Sequence, residues 1–234
     1  MNSAGYDFYQ PLLRSSYGGY GSSSVTKDAE DLKEFISTCC EDADSIVLMG
    51  HSTGCQDIVT YLGKIHQNCA PPVVKVILQG PVSDREAVDA AVSRDSSGNL
   101  KAVLEEAMHS ASHMELDEYL PSKTSVLFGR TGDPITAGRF SSLYGKQTEE
   151  DVFSSDLAEA YLKKRLGHIT CPVLLILSEK DEFYPEYVQA NTMGKLIGTG
   201  FTGHVEISVV RGADHFLTGL QDELGNLVVR FLNK

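Results

Sequence analysis

The chain has 234 residues, 41% of them hydrophobic, enough for one globular domain with a sizeable core. Its 20 basic against 32 acidic side chains leave a formal net charge of −12, which argues against nucleic acid and anionic membrane surfaces as partners. No apolar stretch reaches the ~18–20 residues that span a bilayer, so no membrane span is expected.

The opening residues Met1-Asn2-Ser3-Ala4-Gly5-Tyr6-Asp7 carry neither a basic region nor an apolar core, so no signal peptide is visible. A cytoplasmic protein is expected, unless a targeting segment preceded residue 1. The cysteines (Cys39, Cys40, Cys55, Cys69 and Cys171) form no C-x-x-C pair and leave an odd count, which fits reduced thiols. Gly18-Gly19-Tyr20-Gly21 lacks the Lys-Ser/Thr end of a phosphate-binding loop and is not read as one.

Thr26 reads as the N-cap of a first amphipathic helix. Asp28 lies in its first turn, and Ala29, Leu32, Phe35, Ile36 and Cys39 recur at helical spacing. The apolar run 45–49 then leads directly into Gly50-His51-Ser52-Thr53-Gly54, and 55–62 reads as a helix. A serine hydroxyl is a poor nucleophile unless it is held exposed beside a base and beside oxyanion donors. A G-x-S-x-G turn between strand and helix provides that setting, with Gly50 and Gly54 allowing the sharp turn and Ser52 at its apex. The backbone N–H of Thr53 and the helix N-terminus face developing negative charge. His51 reads as a packing residue beside the nucleophile, and Cys55 as a small core residue.

A second strand is expected over 73–79, ending at Gly80-Pro81. From 82 to about 167 the strand rhythm stops, leaving helical pieces at 85–94 and 100–119 and a turn-rich stretch at 129–134. His109 and His113 stand at i, i+4, but no third ligand is placed and no Glu lies between them, so no metal is expected. After Pro172 comes a buried-strand run, 173–177, ending in a loop with Glu179, Asp181 and Glu182. The strand 205–210 leads into Asp214 and His215. A last helix, about 217–232, turns Leu220, Leu224, Leu227, Val228 and Phe231 inward. Strands alternating with helices in this way indicate a parallel α/β sheet.

Ser52, Asp181 and His215 each follow their own strand, in the order nucleophile, acid, base. The C-terminal ends of parallel strands share one edge, so the three converge on it. Glu179 and Glu182 stay open as alternatives for the acid. Asp214 is a poor orienter of His215, because neighbouring side chains diverge.

These residues resemble the α/β-hydrolase superfamily, and more narrowly its fungal and plant branch that includes siderophore (fusarinine-type) esterases. The narrow match is carried by 12–21 (LLRSSYGGYG), 48–57 (LMGHSTGCQD), 134–143 (PITAGRFSSL) and 153–157 (FSSDL). The resemblance implies an α/β-hydrolase fold, a mostly parallel sheet flanked by helices. It further implies one domain, with a core of 1–81 and 168–234 and a helical lid, 82–167, inserted after the family's sixth strand.

It also implies a departure. Residues 8–13 match the family's fourth strand, so the first three strands are expected to be missing from this chain. With them goes the loop that supplies one of two oxyanion N–H groups, leaving only that of Thr53. Either 8–13 moves in to pair beside the strand leading to Ser52, or that edge stays open and invites oligomerisation. A truncated form of a longer protein is expected. The implied function is a serine hydrolase acting through Ser52, Asp181 and His215 on a small-molecule ester, or a thioester or amide, with no cofactor. The alternative is a catalytically impaired relative that binds a ligand or partner.

Overall fold

The computed structural model describes residues 5–65, 71–128 and 133–234. Four strands form one parallel sheet in the order β1-β2-β3-β4: β1 (Ile46–His51), β2 (Val73–Gln79), β3 (Val173–Ser178) and β4 (Val205–Val210). The register aligns Met49 with Ile77, Ile77 with Leu174 and Leu174 with Glu206. Continuous apolar runs suit strands covered on both faces, and every residue of β3 is buried.

Alternate side chains of these strands enter two separate cores, as the two-residue period of a strand requires. Leu48, Val76, Leu78, Leu175 and Leu177 join the helices α1 (Val25–Cys39), α2 (Thr53–Thr60), α6 (Glu159–Leu166) and α7 (Ala190–Gly198). Ile77, Leu174, Ile176 and Val210 pack against α8 (Gln221–Leu232) on the other face. Between β2 and β3, the described residues hold α3 (Asp84–Arg94), α4 (Asn99–Ala111) and α5 (Ala137–Tyr144). These helices gather a third core around Val88, Ala107, Phe140 and Leu143.

Residues 8–13 do not form a strand. Ser15 N–H donates to Asp28 Oδ1 and Arg14 N–H to Asp31 Oδ2, tying the segment that follows them to α1 instead. Phe8, Tyr9 and Leu12 stay exposed, and Pro11 has no N–H to offer a ladder. Among the described residues β1 therefore pairs with β2 alone, leaving an open sheet edge.

Other expectations also shift. Ser24, not Thr26, caps α1 by accepting from Lys27 N–H, while Thr26 Oγ1 donates to Glu149. Cys39, expected on the inner face, is exposed. The helix expected over 100–119 stops at Ala111, because 116–120 is drawn alongside 135–138. There Leu120 N–H donates to Ile135 O, Ala137 N–H to Glu118 O and Gly138 N–H to Leu116 O. The last helix begins at Gln221, after a turn in which Leu217 and Gly219 hold φ of 52° and 76°. The turn at 129–132 and Cys69 lie outside the described residues.

Candidate active site

The apolar run of β1 stops at Ser52, where the backbone reverses into α2 with φ 53° and ψ −125°. A non-glycine residue in this region is strained, and the strain persists only where its surroundings enforce it. Ser52 N–H donates to Gln79 O at 3.0 Å, and Cys55 N–H to Ser52 O at 2.8 Å, closing the turn. Gly50 is demanded by sterics, since a Cβ there would lie 2.4 Å from Gly54 O. Gly54 is not, because a Cβ on it would meet nothing within 4 Å. Thr53 is the first residue of α2, so its N–H has no acceptor within the helix and is available to an anion. Cys55 lies in the core behind the turn, its Sγ 3.4 Å from Gly50 O and Gln79 O, and burial pushes its thiol up.

Asp181 follows β3 and His215 follows β4, and the two side chains meet out of solvent. His215 Nδ1 lies 2.8 Å from Asp181 Oδ2, with the two side chains 1% and 0% exposed. Asp181 Oδ1 accepts from Phe183 N–H at 3.1 Å, fixing the carboxylate. With Nδ1–H donated to Asp181, His215 Nε2 is an acceptor. Nε2 is buried and bonds to no described residue, so Ser52 Oγ is not hydrogen-bonded to it in this conformation.

The other acids nearby do different work. Glu182 Oε2 accepts from His215 N–H at 2.9 Å, and Glu179 Oε2 from Gly212 N–H at 2.8 Å. Asp214 accepts from Thr218 N–H. Neither Glu179, Glu182 nor Asp214 reaches the imidazole; each holds loop backbone. Sequence reasoning missed Gln79, whose Nε2 donates to His215 O at 3.0 Å. A polar residue closing a buried apolar strand was the available signal for it. Gly80, with φ 59°, lets the imidazole lie close, as a Cβ there would be 3.0 Å from His215 Cε1.

An aromatic collar surrounds His215. The rings of Phe183, His51 and Phe216 have centroids 4.6, 4.7 and 5.2 Å from it. Desolvation and the neighbouring His215 hold His51 below the ordinary histidine range. His109 and His113 pack their rings 4.5 Å apart, and His113 Nδ1 is 2.8 Å from His109 O. Among the described residues no group of three or more His, Cys, Asp or Glu could hold a metal ion. Nor is any helix among them long and apolar enough to cross a membrane.

Beneath the elbow lies a buried polar network. Arg139 pairs with Glu150 and donates from Nε to Tyr20 O at 2.9 Å. Asp84 accepts from Tyr20 Oη and Gln56 Nε2. Asp57 is pushed up to about 8, first by burial and then by repulsion from Asp28 and Glu150. In the unfolded chain this carboxyl ionises near 3.8. The folded state therefore binds the extra proton between those values, and stability falls as pH rises through them. Asp57→Asn is expected to flatten that fall and to raise stability near pH 8 by on the order of 1–3 kcal/mol. Denaturant melts of both proteins across this window check it; an unchanged slope contradicts it.

The comparisons with known proteins agree with this architecture. A family model described as "Protein of unknown function (DUF1749)" matches residues 1–232. Esterase AN6793 of Emericella nidulans is 26% identical over 278 residues, covering 94% of this chain and 74% of that protein. Fusarinine C esterase sidJ of Aspergillus fumigatus is 26% identical over 232 residues; the alignment covers 80% of this chain and spans 66% of that relative's length. Among solved structures, siderophore hydrolase EstB from Aspergillus fumigatus superposes with a TM-score of 0.76 at 26% identity. That match covers 95% of this chain and 78% of the other. The fold is the α/β-hydrolase fold with a short sheet, and these likenesses place the chain among hydrolases.

Proposed function

Because the chain belongs to the DUF1749 family, and its relatives include two named esterases, we propose that it is a serine ester hydrolase. Ser52 is the nucleophile, His215 the base and Asp181 the acid that orients it. The observation that carries the reading is the buried 2.8 Å Asp181–His215 contact, with Nε2 left unpaired near a strained serine turn.

In this reading His215 Nε2 takes the Ser52 Oγ proton as Oγ bonds to the ester carbonyl carbon. Asp181 holds the imidazole in the tautomer that leaves Nε2 basic, and stabilises the imidazolium once it forms. The oxyanion is met by Thr53 N–H and the N-terminus of α2. Collapse of the tetrahedral intermediate breaks the bond to the alcohol, which leaves with the proton from His215. Water, deprotonated by His215, then attacks the acyl-Ser52 carbonyl, and the acid departs as Oγ regains its proton. Ser52 Oγ must first turn into hydrogen-bond reach of Nε2, a tightening that such sites undergo on binding substrate. Within residues 82–167, α3 to α5 serve as the lid while α6 packs in the core with α1, α2 and α7, and the sequence forms one domain. No metal or organic cofactor has a step in this scheme.

The substrate class is taken from the relatives' names: an ester within a siderophore. The setting is cytoplasmic, supported by the unpaired Cys39, Cys40, Cys55 and Cys171. The test is turnover of a panel of aryl and hydroxamate esters, each beside the matching amide. Ester turnover that drops to the buffer rate in Ser52→Ala is the expected result. A second reading, an impaired relative that binds without turnover, draws support from the single assigned oxyanion donor. Loss of one such donor costs ~10²–10³ in rate. The open β1 edge adds self-association to that reading. A cooperatively folded chain that turns over no ester would favour it.

A further inference from the structure

At its C-terminal end, roughly 12 Å along the axis from the serine turn, α2 widens into a π-helical turn, Tyr61–Ile65. Such turns interrupt the regular carbonyl ladder and recur at functional sites. Here the widened turn faces the last turn of α6 and the residues after it, across a cleft of about 150 Å³. Lys64, Lys164, Arg165 and His168 line the cleft together with Thr60 and Gly63. In a chain of net charge −12 this is a local reversal of sign.

Two of these cations are fixed by the fold, and the rest of the lining has capacity to spare. Lys64 pairs with Glu149, and Arg165 donates to Thr148 O and Glu149 O at 3.1 and 2.6 Å. Those are backbone carbonyls, and the Glu149 carboxylate that pairs with Lys64 also feels the Arg165 charge. Lys164 makes no ion pair or hydrogen bond among the described residues. His168 lies beside the Val59 carbonyl and against Gly63. Gly63 allows this placement, since a Cβ there would lie 2.8 Å from His168 Cε1. Burial and the Arg165 charge both hold His168 below its ordinary value, as expected of two groups facing one space. Thr60 is 3% exposed, and its Oγ1 has no hydrogen-bond partner. A buried hydroxyl left unpaired costs ~1–3 kcal/mol, so it marks a place where an acceptor belongs.

The basic last turn of α6 complements the negative end of its own dipole. That accounts for the charge of Lys163, Lys164 and Arg165. It does not account for the orphaned Thr60 hydroxyl in the opposite wall. We propose that this cleft binds a small oxyanion, a phosphate or the phosphoryl group of a phosphate monoester, between Lys164, Arg165 and Thr60. The site is separate from the ester-cleaving edge and stands whether or not that activity does.

Thermal melts of the full chain in inorganic phosphate, in methyl phosphate and in sodium chloride at equal ionic strength test it. The expected result is a saturable rise in Tm with phosphate or its monoester over chloride, the tighter of the two naming the source. Lys164→Glu abolishes the rise, and Thr60→Val shifts its midpoint about tenfold to higher concentration, the loss of one charge-assisted hydrogen bond. Ser52→Ala keeps the full response. Lys164 is exposed, and its variant's melt in chloride verifies folding. Identical curves in phosphate and chloride overturn the proposal. So does an undiminished response in Lys164→Glu, or one lost in Ser52→Ala, which would move the ion to the ester site.

Discussion

Asp181→Asn is expected to lower kcat for ester hydrolysis by about 10³–10⁴-fold with little change in KM or Tm. The amide matches the carboxylate in shape, so the buried contact to His215 Nδ1 at 2.8 Å survives in geometry. What changes is chemistry. An amide NH₂ facing Nδ1 favours the tautomer with the proton on Nε2, and a protonated Nε2 cannot accept from Ser52. The carboxylate that would stabilise the imidazolium is also gone. The contrast lies with Glu182→Gln. Glu182 accepts from the His215 backbone rather than the ring, so its amide variant should cost far less than Asp181→Asn. A larger loss in Glu182→Gln would mean that the acid has been assigned to the wrong residue.

Gly50→Ala is the second large effect. The added methyl would sit 2.4 Å from Gly54 O and 2.5 Å from Gly54 C, which are backbone atoms with nowhere to rotate. The turn must open, and the chain is expected to lose roughly 3 kcal/mol or more along with all reactivity at Ser52. Gly54→Ala separates this from a general intolerance of the turn. Its methyl meets nothing within 4 Å, and Gly54 is the second residue of α2. Alanine there should stabilise the helix by ~0.5–1 kcal/mol and leave reactivity in place. Circular dichroism melts of the two variants, beside their reaction rates, give the comparison. Equal damage from both would remove the steric account of the turn.

The strands were legible because their apolar runs are continuous and bounded by turn residues. Residues 73–79 and 205–210 form β2 and β4 with the expected limits. The errors arose where a distant partner overrode local pattern. Residues 8–13 read as a strand through a family match, yet the chain after them is held by Asp28 and Asp31 on α1. The helix through Leu116 and Tyr119 lost to backbone pairing with 135–138, which no local window can reveal. At the site, the order of Ser52, Asp181 and His215 along the chain was readable. Which of three neighbouring acids faces the imidazole was not, because Glu179, Asp181 and Glu182 share one loop and only its path decides. Gln79 and Glu182 act on the His215 backbone, and backbone anchoring leaves no motif.

In the proposed mechanism Ser52 is an activated nucleophile, and labelling with a fluorophosphonate probe, with the adduct located by peptide mass spectrometry, puts that to the test. The expected result is a single adduct at Ser52, absent from Ser52→Ala and strongly slowed in Asp181→Asn. A cooperatively folded chain that takes up no probe, or takes it up on another residue, would contradict it.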